Sequence, residues 1–175
     1  LILIQSVHNG SVDGGGSTGG AAGYIHKNTN IEVSISNTTN SASIGSVELN
    51  TNITLTISNC LVTGSTNQTM SSSGGYVGYI GENTNMNMTI ANSTSNRSVT
   101  GNTNYIGGFV GRVVKNVNMN MELSNCTSNG TVAGALNAGG FIGLIYSSTT
   151  SHSINLTVIN CANKAMVSAS SGMAC

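Results

Sequence analysis

Apolar and polar residues alternate with period two in one short segment that recurs along the chain. It reads Asn-Ile-Thr-Leu-Thr-Ile-Ser-Asn at 52–59, Asn-Met-Asn-Met-Thr-Ile-Ala-Asn at 85–92 and Asn-Met-Asn-Met-Glu-Leu-Ser-Asn at 118–125. Further copies are Asn-Ile-Glu-Val-Ser-Ile-Ser-Asn at 30–37 and Ser-Ile-Asn-Leu-Thr-Val-Ile-Asn at 153–160, and Leu1 and Leu3 fit the end of a truncated sixth. In each, Ile, Leu, Val or Met occupies every second position, as a strand with one buried face requires. Helical spacing fits none of them.

The copies begin at residues 30, 52, 85, 118 and 153, giving steps of 22, 33, 33 and 35 residues. Two further blocks follow the strand. One is Asn-Gly-Ser-Val at 9–12, Asn-Arg-Ser-Val at 96–99 and Asn-Gly-Thr-Val at 129–132. The other is Gly-Gly-Tyr-Val-Gly at 74–78, Gly-Gly-Phe-Val-Gly at 107–111 and Gly-Gly-Phe-Ile-Gly at 139–143, with a degenerate Gly-Gly-Ala-Ala-Gly at 19–23. The 22-residue step lacks this last block, so that coil is expected to be short.

One such strand cannot bury its apolar face alone. Stacking the copies makes parallel sheets around a continuous core. The expected fold is all-β: a right-handed parallel β-solenoid of five to six coils with a repeat near 33 residues, forming one domain over 1–175. The handedness follows from the chirality of parallel crossovers rather than from these residues. Stacking also predicts ladders of like residues. Asn37, Asn59, Asn92, Asn125 and Asn160 should form an asparagine ladder at a turn, buried, with amides bonding to one another or to backbone. Tyr76, Phe109 and Phe141 should form an aromatic ladder, with Ala21 at its degenerate end. The paired glycines allow a bend or a close backbone approach.

Ile57-Ser58-Asn59-Cys60, then Val62-Thr63-Gly64, then Gly74-Gly75-Tyr76-Val77-Gly78 resembles the GLUG motif family. The resemblance covers most of the chain. Tyr or Phe stands where the motif has Leu, and the Asn-Met-Asn-Met strands are additional. It implies a secreted or cell-surface β-solenoid stalk, as in adhesins, with no catalytic residues to carry over.

Composition sharpens this picture. Charged residues make up 6% of the 175, with five basic against five acidic side chains and no net charge. No basic footprint for nucleic acid exists, and no apolar run is long enough to span a membrane. Gly reaches 23, Pro and Trp are absent, and Asn, Ser and Thr fill the polar positions. Solubility must come from amides, hydroxyls or attached glycans, and a neutral surface favours self-association. The chain begins with Leu, so we expect a mature or excised segment of something longer.

Asn-x-Ser/Thr sequons occur at Asn9, Asn37, Asn52, Asn67, Asn87, Asn92, Asn96, Asn125, Asn129 and Asn155. An Asn-rich chain produces many by composition, so position carries the argument. Asn9, Asn96 and Asn129 share an exposed turn position and are the first candidates for N-glycosylation. Asn52, Asn87 and Asn155 share an outward strand position and come second. Asn37, Asn92 and Asn125 lie in the expected buried ladder, where a glycan has no room.

Cys60, Cys126 and Cys161 each follow the ladder asparagine, and Cys126 and Cys161 fall in adjacent coils at a spacing suited to a disulfide. Cys175 is terminal. His8, His26 and His152 are remote from cysteine, so no zinc set and no other metal or cofactor site is expected. The acids are Asp13, Glu32, Glu48, Glu82 and Glu122. Glu32 and Glu122 are expected at one repeat position, two coils apart, which does not make the clustered carboxylates of polysaccharide-cleaving solenoids. An enzyme remains a remote alternative, as does ice binding by the outward Thr and Asn rows. The leading expectation is an extracellular building block of a fibre, stalk or coat. Its partners would be copies of itself, stacked end to end through uncapped strand edges, and attached glycans. The alternative is an adhesin module for a glycan or surface receptor.

Overall fold

The computed structural model describes residues 2–4, 21–40, 43–67, 72–102, 104–147 and 150–175. All of its regular structure is parallel β. Five sheets run along the stack. The first joins Ile2–Ile4, Thr29–Ser36, Thr51–Ser58, Thr84–Ala91, Val117–Ser124 and Ile154–Ile159. One full coil continues from Thr84–Ala91 through the short strands Thr94–Ser95, Ser98–Thr100 and Tyr105–Gly107 to Val110–Val114, which belongs to the fifth sheet. The described residues form a solenoid of about four turns, fewer than the five to six coils expected.

Register follows the repeat. Ile53, Met86 and Met119 stack, as do Leu55, Met88 and Met121, and Ile57, Ile90 and Leu123. Every one of these is at most 1% exposed, so the inward parity of the sequence holds. Leu3 pairs with Ile35, in the register expected of a further copy, while Leu1 lies outside the described residues. The 22-residue coil is short for a different reason from the one expected. Its Ile44–Glu48 strand pairs with Val77–Gly81, so the strand of the Gly-Gly block survives. Among the described residues this coil has no counterpart in sheets three and four, whose described strands start at Ser65–Asn67 and Ser72–Gly74.

Corners are turned by residues at positive φ. Asn30, Asn52, Asn85 and Asn118 open the long strand, and Asn37, Asn59, Asn92, Asn125 and Asn160 close it, all with φ between 49° and 55°. Asparagine tolerates this left-handed conformation better than other residues with a Cβ. At the Gly-Gly corner the need is space instead: a Cβ on Gly75 would strike the Gly108 carbonyl and the Ser95 hydroxyl. Beside it Tyr76, Phe109 and Phe141 stack with ring centroids 4.9 and 5.1 Å apart. In register, Ser43 and then Ala21 continue that row. The Tyr76 hydroxyl is buried between the carbonyls of Cys60 and Thr94, at 2.7 and 2.8 Å, and burial pushes its pKa up.

Candidate functional site

Three features of the described residues bear on the candidate sites: the outward asparagine rows, the thiol row and the edge of the last coil. The closing row, Asn37, Asn59, Asn92, Asn125 and Asn160, does form a ladder, with Asn125 Nδ2 donating to Asn92 Oδ1 at 3.1 Å. It is exposed rather than buried. The left-handed residue breaks the alternation, so each asparagine stays outside and the next residue turns inward. The inward row is therefore Thr38, Cys60, Ser93, Cys126 and Cys161. Burial therefore does not keep glycans off Asn37, Asn92 and Asn125, which are exposed.

The buried asparagine ladder lies one corner earlier, at Asn28, Asn50, Asn83 and Asn116. Asn50, Asn83 and Asn116 are at most 1% exposed. Each side-chain oxygen accepts two bonds from the preceding coil. Asn83 Oδ1 takes Asn50 N at 3.0 Å and Asn50 Nδ2 at 2.9 Å, while Asn116 Oδ1 takes Asn83 N and Nδ2, both at 3.0 Å. Asn83 Nδ2 also donates to the Val47 carbonyl at 3.0 Å. The signal was present as Asn-x-Asn at 28–30, 50–52, 83–85 and 116–118.

Asn96 and Asn129 sit at one exposed turn between sheets two and three, and Asn129 Nδ2 donates to Asn96 Oδ1 at 2.8 Å. Asn9 lies outside the described residues. Asn87 and Asn155 share a row with Asn120, joined by amide bonds of 3.1 and 3.5 Å. Asn52 does not belong to that row. It stacks with Asn30, Asn85 and Asn118, because the register pairs Asn87 with Thr54. The same register separates Glu32, which pairs with Thr54, from Glu122, which pairs with Thr89. The two acids occupy different rows, not the single repeat position expected.

Cys126 and Cys161 are stacked as expected, yet both are thiols rather than a disulfide. Cys126 N donates to Cys161 Sγ at 3.4 Å, and the Cys126 thiol reaches the carbonyls of Ile90 and Ser124, each at 3.3 Å. Burial pushes the Cys126 thiol up to about 11. Among the described residues, no three His, Cys, Asp or Glu side chains are grouped to hold a metal ion.

The last coil differs from the four before it. In Ile154–Ile159, Leu156 and Val158 are 38% and 49% exposed, although they pair with Met121 and Leu123, which are buried. Met166 and Met173 are each 72% exposed. Among the described residues this coil pairs on one side only, so its inward residues present an apolar face that a further coil, of this chain or of another copy, would cover. Comparison with protein-family models, with curated proteins and with solved structures finds no match to this chain.

Proposed function

We propose that the chain is a structural building block of an extracellular fibre, stalk or surface coat, assembled by end-to-end stacking and bearing N-linked glycans. The carrying observation is the end face of the last coil. Leu156 and Val158 stand in rows that are buried in the four coils from Val33 and Ile35 to Met121 and Leu123, and the strand beneath them offers backbone donors and acceptors in solenoid register. Another coil completes both at once: the apolar rows gain a partner and the edge gains a ladder. Uncharged amide rows on the outside put no electrostatic obstacle in the way. The extracellular setting rests on the sequons at exposed corners, the low charge and the resemblance to GLUG repeats.

Charge on the end face tests this reading. Val158→Glu places a carboxylate against the next coil and should convert assemblies to monomers in sedimentation velocity. Wild-type protein that sediments as a monomer at all concentrations would overturn the proposal.

A further inference from the structure

The outer face of the fifth sheet carries chemistry that stacking does not use. The Arg112 guanidinium lies 4.7 Å from the ring centroid of Tyr105, in the same coil, and 5.8 Å from that of Tyr79, its register partner one coil away. Two aromatic faces thus hold a long side chain in place before any ligand arrives. Its Nε is buried and bonds to nothing. Neither of the acids whose charges act on Tyr79 pairs with Arg112 among the described residues. Glu82 pairs with Lys115 Nζ at 3.5 Å, and Glu48 accepts from the Tyr24 hydroxyl at 3.2 Å. Arg97, by contrast, spends its donors on the carbonyls of Thr63 and Gly75, at 3.4 and 3.3 Å.

We propose that Arg112, Tyr79 and Tyr105 form a binding site for the carboxylate of an acidic sugar residue. A clamped guanidinium presents its terminal N–H groups as a planar fork, which a carboxylate matches with two parallel bonds. The flanking rings offer apolar faces with hydroxyl edges, suited to the C–H face of a pyranose. The row continues through Ser46 to Tyr24, whose ring stacks on His26 at 4.7 Å and 12°. An acidic oligosaccharide lying along the stack axis meets a cation, then Tyr79 and, past the buried Ser46, Tyr24. An acidic peptide would use the charge but leave these ring faces idle. This site stands whether or not the coils polymerise.

The test is calorimetric titration with tetragalacturonate, its methyl ester and tetraglutamate. The free acid should bind, and esterification should weaken it at least about tenfold, since the ester keeps the ring and loses the anion. Arg112→Lys should also weaken it about tenfold, because it keeps the charge and loses the fork. Arg112→Gln should abolish binding while leaving the circular dichroism spectrum unchanged. If that variant does not fold, Arg112→Lys and the ester still decide. Absent binding, equal binding of the ester, or undiminished binding by Arg112→Lys would overturn the proposal. Tetraglutamate binding as tightly as the sugar would replace it with an acidic-peptide surface.

Discussion

Replacing Asn83 by alanine removes the centre of the buried amide ladder. Four bonds are lost: those from Asn50 N and Asn50 Nδ2 to Asn83 Oδ1, and those from Asn83 Nδ2 to the Val47 carbonyl and to Asn116 Oδ1. Asn50 Nδ2 keeps the Ile25 carbonyl and Asn116 Oδ1 keeps Asn83 N, whereas Asn50 N loses its side-chain acceptor. The site is fully buried, so water does not replace these bonds without rearrangement. At about 1–3 kcal/mol for a buried group left unpaired and about 0.5–1.5 kcal/mol for each of the other three bonds, and allowing for partial relaxation, the loss is about 3–6 kcal/mol. For a chain of this size that lowers the melting temperature by roughly 10 °C or more. Asn120→Ala provides the contrast. Its amide bonds to Asn87 and Asn155 are exposed, so water compensates and the cost stays below about 1 kcal/mol. Both variants should be compared with wild type by urea unfolding, followed by circular dichroism and by tyrosine fluorescence. Coincident curves from the two signals would validate a single free energy for this repeat architecture. An Asn83→Ala variant within about 0.5 kcal/mol of wild type would refute the reasoning, because the cost of an unpaired buried amide exceeds that.

Phe109→Ala opens a cavity between Tyr76 and Phe141 and should cost about 3–5 kcal/mol, read from the same urea curves. Gly108→Ala should fail to give soluble folded protein, because its Cβ collides with the Gly140 carbonyl of the next coil; a soluble variant with a wild-type melt would contradict this. The Cys126 thiol, raised to about 11 by burial, should resist alkylation at pH 8 while exposed Cys175 reacts, as peptide mass spectrometry would show. Its folded pKa lies above the unfolded value, so its contribution to stability is intact below the ordinary thiol range and is lost as pH rises to about 11. Melts between pH 8 and 11 should therefore shift downward, and less so in Cys126→Ser. Stacked strands stand about 4.8 Å apart, too close for two branched glycans side by side, so glycopeptide mass spectrometry should not find Asn96 and Asn129 both fully occupied on one chain.

The long strands and their buried face were legible because period two is unambiguous over eight residues, and because Met, Ile and Leu recur at the same steps. The corners were half legible. Repeated asparagine marked them, but strict alternation carried past Asn59 and Asn125 placed those side chains inside. A left-handed residue resets parity, and sequence alternation alone does not reveal where that occurs. The same effect hid the true inner ladder, since Asn83 and Asn85 belong to different sides of one corner. The strand Ile44–Glu48 went unseen because Ser43 and Gly45 retain too little of the Gly-Gly signature. The Arg112 clamp joins two sheets and two coils, and no local pattern announces it. For Cys126 and Cys161, spacing showed adjacency but not the chemical state of the sulfurs.

Assembly is best tested by electron microscopy of natively isolated material, at a resolution that shows side chains. The account predicts filaments in which Ile154–Ile159 of one chain pairs in parallel with a strand of the next, covering Leu156 and Val158, with sugar density at exposed corner asparagines. Isolated, bare particles with that end face open to solvent would contradict it.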